Sequence, residues 1–216
     1  MGGAARATVS REAPPEFPPG AFDRVDDSDD AAFYLPPRLV THIDDQAIAA
    51  LADFYGRVLK PGGTVLDLMS SWVSHLPDGL ELAELIGHGM NADELDANPR
   101  LTRSFVQNLN RDCVLPLDGC SCDAALCCVS VQYLQKPVAV FTEVRRVLRP
   151  GSPFVVSYSN RCFPTKAVAI WRSLDLRGHA SLIHRYFASA GFLDIEAHVL
   201  GNGMHGDPLV AVTGLA

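Results

Sequence analysis

Residues Cys122–Tyr158, CDAALCCVSVQYLQKPVAVFTEVRRVLRPGSPFVVSY, read in succession as strand, helix and strand. Ala124 to Val131 is apolar almost throughout, which fits a strand covered on both faces. Val138, Phe141, Val144, Val147 and Leu148 follow at helical spacing, and Arg149-Pro150-Gly151 ends that helix. Pro153 to Tyr158 is the next strand. Upstream, Thr64 to Leu68, Leu82 to Ile86 and Ser104 to Gln107 read as three short strands. Ahead of them, Asp44 or Asp45 caps a helix running to about Val58, with Ile48, Leu51, Phe54 and Tyr55 as its buried stripe and Lys60-Pro61-Gly62-Gly63 as its stop. Downstream, a helix around Ala180 to Ala190 leads through Gly191-Phe192 into strands Asp194 to Leu200 and Leu209 to Val212. Alternating strands and helices with apolar central strands predict a doubly wound, mostly parallel α/β sheet.

The chain has 216 residues, enough for one such domain with little left over. With 48% apolar and 20% charged residues it buries a real core and is not wholly disordered. Six cysteines are too few for a disulfide scaffold and lack the paired C-x-x-C spacing of a zinc site. They read as reduced thiols on and beside a buried strand, with no metal, in a reducing compartment such as the cytoplasm or a plastid stroma. No apolar run reaches the ~18 residues of a membrane helix. A net charge of −7 argues against a general binder of nucleic acid or anionic lipid. Residues 1–31 carry Pro14, Pro15, Pro18 and Pro19, then Asp23, Asp26, Asp27, Asp29 and Asp30. They read as a flexible arm that docks on a partner protein or on its own domain, which occupies 32–216.

Four segments together resemble class I S-adenosylmethionine-dependent methyltransferases, of the type 11 kind. Thr64-Val65-Leu66-Asp67-Leu68 resembles that family's first strand, and Ser121-Cys122-Asp123-Ala124-Ala125 the start of its fourth. Glu143 to Gly151 is similar to its E-x-x-R-V-L-K-P-G-G helix end, and Ala190-Gly191-Phe192 to the turn before its sixth strand. The resemblance implies a seven-stranded, Rossmann-like sheet whose last strand is antiparallel. It also implies S-adenosylmethionine as cofactor. More narrowly, Pro37 to Asp45, Leu66 to Pro77, Gly89-Met90-Asn91, Val129 to Leu134 and Ser159-Asn160-Arg161 resemble a methyltransferase-like group associated with plants, algae and cyanobacteria.

The first loop departs from the family's acid-x-G-x-G-x-G. Asp67 is kept, but the glycine positions fall on Met69, Ser71 and Val73, with Trp72 between the last two. Side-chain hydroxyls of Ser70, Ser71 and Ser74 then replace bare backbone, and Ser71 is placed to cap a following helix that carries His75. Alignment on Gly87 puts Gly89 where the family has a ribose-binding acid, leaving Asn91 as a neutral substitute. Asn108, followed by Leu109, stands where the family often has an acid for the adenine amino group.

Ligands of open α/β sheets sit beyond the carboxyl ends of the strands. The expected cofactor site is therefore Asp67, Met69, Ser70, Ser71, Gly89, Met90, Asn91, Asn108, Leu109 and Ser130. The expected acceptor site is Gln132, Tyr133, Asn160, Arg161 and Arg38, the two arginines suiting a carboxylate or phosphate or else closing salt bridges. Tyr133 and His42 are the candidate catalytic residues. The expected function is methyl transfer from S-adenosylmethionine to a small-molecule acceptor. The alternative is a catalytically silent methyltransferase-like subunit of a larger assembly, such as one in a plastid.

Overall fold

The computed structural model describes residues 17–216. Helix α1 spans Asp30–Phe33 and α2 spans Asp45–Val58, ahead of strand β1 at Thr64–Leu68. Strand β2 is Glu84–Gly89, helix α3 Ala92–Asp96 and strand β3 Arg103–Val106. Strand β4 is Ala124–Cys128, followed by a 3-10 turn at Val131–Tyr133, helix α4 at Pro137–Val147 and strand β5 at Pro153–Ser159. Helices α5, Ala169–Arg172, and α6, Leu176–Ser189, precede strands β6, Leu193–Gly201, and β7, Leu209–Leu215. All seven strands form one sheet in the order β3-β2-β1-β4-β5-β7-β6. Neighbours from β3 to β5 pair in parallel, while β7 runs antiparallel between β5 and β6. The doubly wound, seven-stranded sheet expected from the sequence is therefore present.

Alternation along each strand divides the core between the two faces. Val65, Leu85, Leu126 and Val155 pack with Leu51, Phe54 and Tyr55 of α2. Leu66, Ile86, Cys127, Phe154 and Val156 face α4 and α6, meeting Phe141, Tyr186 and Phe187. Phe141 lies 5.0 Å from Phe154 and 4.8 Å from Phe187, ring centre to ring centre. Each such ring contributes about 1.5–3 kcal/mol by leaving water. Glu143 of α4 accepts the Leu115 N–H at 2.8 Å and pairs with Arg146, which donates to Leu117 O at 2.8 Å. The E-x-x-R pattern thus ties α4 to the connection before β4. The six cysteines are all free, with Cys122 and Cys127 buried.

Several details differ from the sequence reading. Strand β2 begins two residues later and runs on to Gly89. Strand β4 stops at Cys128, where Val129 takes a left-handed φ of 48° that a strand cannot hold. Between β1 and β2, residues 69–83 form no helix, so Ser71 caps none and His75 lies on a loop. Pro77 and Gly79 explain this, since the first removes a backbone donor and the second adds chain entropy. The loop is held instead by side chains from beyond it. Asn98 donates to Ser71 O and Ser74 Oγ, both at 2.9 Å. Arg100 donates to Pro77 O and Leu80 O.

The arm read over 1–31 is seated on the domain from Phe17 onward, so the flexible stretch does not extend through 17–31. Phe17 and Phe22 pack on Tyr186. The backbone N–H groups of Ala169 and Ile170 donate to Asp23 O and Ala21 O. Lys166 is fully buried and its Nζ meets Asp26 Oδ2 at 3.2 Å, Asp30 Oδ1 at 3.4 Å and Ser28 O at 2.8 Å. Asp30 also pairs with Arg24 at 2.6 Å. Residues 17–43 thus form a strap across the carboxyl ends of the strands. Residues 1–16 lie outside the described residues.

Candidate functional site

The carboxyl ends of β1, β2 and β4, the loops after β3 and β5 and the overlying strap line a cavity of about 410 Å³. That lies within the ~300–1,000 Å³ range of small-molecule sites. Met69 follows β1 with φ 56°, the left-handed conformation for which the first glycine of the family loop is suited. The chain therefore keeps the turn and accepts a Cβ there, at a cost of about 1–2 kcal/mol. Met69, Trp72 and Met90 line the cavity wall without filling it.

Asp67 is 3% exposed, and its Oδ2 accepts from Ser70 Oγ at 2.6 Å. Burial raises its pKa to about 6, opposed by the Ser70 and Ser74 hydroxyls. His88, on β2, was not singled out from the sequence, because a lone histidine in an apolar strand reads as core. It is 1% exposed and bridges two loops. Its Nδ1 accepts the Met69 N–H at 3.0 Å, so Nε2 carries the proton and donates to Gln107 O at 2.9 Å. Burial lowers its pKa to about 4, so it is neutral at pH 7. Ser70 N–H donates to His88 O at 2.6 Å, closing the same joint from the backbone.

Gly89 lies on the cavity, but a Cβ there would meet Ser70 O at 2.8 Å and Leu95 at 3.1 Å. No ribose-binding acid fits at that position as the backbone stands. Asn91 is also committed: its Oδ1 caps α3 by accepting the Glu94 N–H, and its Nδ2 donates to Tyr34 O and Leu35 O. It fastens the strap and is not a free neutral substitute. The carboxylate nearest in role is Glu94, one helical turn further on, which lines the cavity. It accepts from Ser71 Oγ at 2.6 Å and from the Arg38 N–H at 2.7 Å. Sequence reading missed it because an acid on a short helix reads as solvated; its spacing after Asn91 is the only local signal. Asn108 and Leu109 line the cavity beyond β3, and Asn108 Oδ1 accepts the Asn110 N–H at 2.9 Å. Ser130 is at the cavity too, its hydroxyl donating to Cys128 O.

Around the end of β5 the lining changes character. The Tyr133 hydroxyl accepts the Phe163 N–H at 2.9 Å, leaving its own proton to donate. Burial pushes its pKa up to about 12, so Tyr133 acts as a hydrogen-bond donor rather than a base. His42 packs edge-on to Phe163 at 5.5 Å, and desolvation lowers its pKa, with Glu94 opposing and Arg38 adding. His75 lines the same cavity, its pKa lowered by burial and then by His42. Both rings are neutral at pH 7 and His42 is competent to accept a proton. Arg38 lays its guanidinium 4.7 Å from the Phe33 ring and 5.4 Å from that of Phe163.

Three expected acceptor residues behave otherwise. Gln132 is 1% exposed and does not line the cavity; its Nε2 donates to Val129 O, holding the strained turn after β4. Asn160 is exposed and off the cavity, beside Ser159. Arg161 lines the cavity but pairs with Asp207 at 2.8 Å. Among the described residues, no group of three or more His, Cys, Asp or Glu side chains is arranged to hold a metal ion.

Comparison with known proteins places this geometry. Residues 80–156 match the family model of a methyltransferase domain. Malonyl-[acyl-carrier protein] O-methyltransferase of Marinomonas sp. (strain MWYL1) is 32% identical over 80 residues, 37% of this chain. The match spans 28% of that relative's length. Among solved structures, the putative methyltransferase complexed with the Trm112 methyltransferase activator of Haloferax volcanii superposes with a TM-score of 0.62 at 16% identity, over 80% of this chain and 90% of that one. Phosphoethanolamine N-methyltransferase 2 of Haemonchus contortus, solved with S-adenosyl-L-methionine, gives 0.54 at 13% identity over 77% of this chain and 52% of that one. The fold is that of the class I S-adenosylmethionine-dependent methyltransferases.

Proposed function

We propose that this chain, a class I methyltransferase by fold, binds S-adenosylmethionine in its strand-end cavity and transfers the methyl group to a small-molecule acceptor. The observation that carries the proposal is the open cavity itself. It persists at the family's cofactor position although the glycines of the first loop are gone. The donor set fits the cofactor's chemistry, since two carboxylates, Asp67 and Glu94, suit a ligand bearing sulfonium and ammonium charges. Asn108 and Leu109 would border its base, and Met69, Ser70 and Ser71 its amino-acid end. When bound, the cofactor supplies an electrophilic methyl group on a sulfonium. The chain's own part is to hold the loops through His88, exclude water with the strap, and orient the acceptor with the Tyr133 hydroxyl. His42 takes the proton from an acceptor hydroxyl or amine.

Titration calorimetry with S-adenosylhomocysteine tests the reading, because the product needs no acceptor. Binding in the micromolar range supports it. A folded protein that shows no heat at millimolar ligand overturns it and leaves the catalytically silent subunit.

A further inference from the structure

The charges in the cavity are not mixed evenly. Asp67 lies near the end of β1 and Glu94 on α3, in the half proposed for the cofactor, although Glu94 also accepts the Arg38 backbone N–H at 2.7 Å. Asp30, on the strap, is already paired with Arg24 and Lys166. Arg161, at the end of β5, is paired with Asp207. Arg38 is the exception. It lines the cavity beside Phe163, yet among the described residues it makes no ion pair. Its Nη2 donates to Phe33 O at 2.9 Å, and its Nη1 is buried with no hydrogen-bond partner.

An unpartnered guanidinium N–H away from water is costly. Stacking on Phe33 and Phe163 fixes the plane of the fork but satisfies none of its in-plane donors. The missing group is planar or tetrahedral, anionic, and able to take two N–H bonds. It belongs on the Tyr133–Phe163 side, away from Asp67, where the Tyr133 proton is also unassigned.

We infer that Arg38 is the specificity residue for an oxyanionic acceptor, binding a carboxylate or phosphate on the molecule to be methylated. The inference rests on the methyltransferase reading and narrows its substrate class. The chain as a whole carries −7, and of the two arginines that line the cavity, Arg38 is the one with no ion pair among the described residues. A neutral acceptor could take an N–H bond but would leave the guanidinium charge without a counter-ion. An anionic one would be drawn to it and oriented by the fork.

The test separates two sources of oxyanion, the acceptor and the cofactor's own amino-acid end. Wild type, Arg38→Met and Arg38→Lys are each titrated with S-adenosylhomocysteine and with 5′-methylthioadenosine, which lacks the carboxylate. Proteins saturated with S-adenosylhomocysteine are then titrated with succinate and with inorganic phosphate, chloride serving as control. The inference expects saturable binding of at least one oxyanion to wild type. It expects that binding to weaken at least tenfold in Arg38→Met and less in Arg38→Lys, with S-adenosylhomocysteine affinity within about twofold of wild type. If Arg38→Met loses S-adenosylhomocysteine affinity but not methylthioadenosine affinity, the arginine holds the cofactor and the inference falls. Oxyanion binding that is absent, or equal in all three proteins, also overturns it. If wild type binds no S-adenosylhomocysteine, the underlying reading fails instead, and the oxyanion titrations on unliganded protein still judge Arg38. Matching circular dichroism spectra and melting curves show that each variant is folded.

Discussion

Asp67 sets stability against the binding role proposed for it, a conflict that one isosteric change exposes. Burial moves its pKa from 3.8 to about 6. Each unit is worth about 1.4 kcal/mol, so the ionised carboxylate costs the folded state about 3 kcal/mol at pH 7. The sign follows from proton counting. The folded state keeps a proton that the unfolded chain has lost between pH 3.8 and about 6, so this contribution favours folding in acid and is lost as pH rises through 6. Asp67→Asn removes the charge but leaves an amide where Ser70 Oγ now donates at 2.6 Å. One imperfectly matched group returns about 1–2 kcal/mol of the gain. The variant is expected to be about 1–2 kcal/mol more stable than wild type at pH 7.5, with the advantage gone by pH 4.5. It is also expected to bind S-adenosylhomocysteine at least tenfold more weakly, because a charge-assisted acceptor is lost. Urea unfolding followed by far-ultraviolet circular dichroism at the two pH values reads the first effect. Equal destabilisation at both would refute the claim that a buried charge sets the balance.

His88 acts in the opposite direction with pH. Its pKa falls from 6.5 to about 4, so its contribution is present above 6.5 and is lost as pH falls through 4. In wild type the two slopes offset one another; in Asp67→Asn the His88 loss of about 3 kcal/mol stands alone, and a urea series from pH 7 to 4 should steepen accordingly. His88→Ala orphans the Met69 N–H and Gln107 C=O, so a loss of about 2–4 kcal/mol is expected by urea unfolding, together with weaker S-adenosylhomocysteine binding; wild-type values for both would contradict the bridging role. Gly89→Asp restores the family acid yet drives a Cβ into Ser70 O, so calorimetry should show no gain in cofactor affinity and unfolding a loss of about 1–3 kcal/mol. Lys166→Met removes the buried cation that Asp26 and Asp30 meet, so limited proteolysis should cut the strap within residues 17–33 well before the domain, and wild-type resistance would show that the ion pairs do not hold it.

The doubly wound sheet was legible because its signals are local. The apolar run at Ala124, the stripe of α4 and the Arg149-Pro150-Gly151 stop lie within the reach of one strand–helix–strand unit. The position of the cavity followed from the same topology, since loops after parallel strands gather at one edge of a sheet. What escaped depends on contacts between distant residues. The strap read as a tail because its prolines and aspartates bury little alone, while its anchor, Lys166, lies 140 residues from Asp26. The missing helix after β1 had a signal in Pro77 and Gly79, but the family pattern outweighed it. Asn91 and Gln132 carry amides suited to ligands, yet both are consumed by backbone groups that no spacing rule reveals. Glu94 was hidden for the converse reason, as an ordinary helix acid that the fold turns inward.

The central claim is that a loop without its glycines still holds S-adenosylmethionine. A crystal structure of the protein grown with S-adenosylhomocysteine tests it most directly. Electron density is expected with adenosine beside Asn108 and Leu109 and the amino-acid end toward Met69, Ser70 and Ser71. A cavity that stays empty at millimolar ligand, or ligand density elsewhere on the molecule, would contradict it.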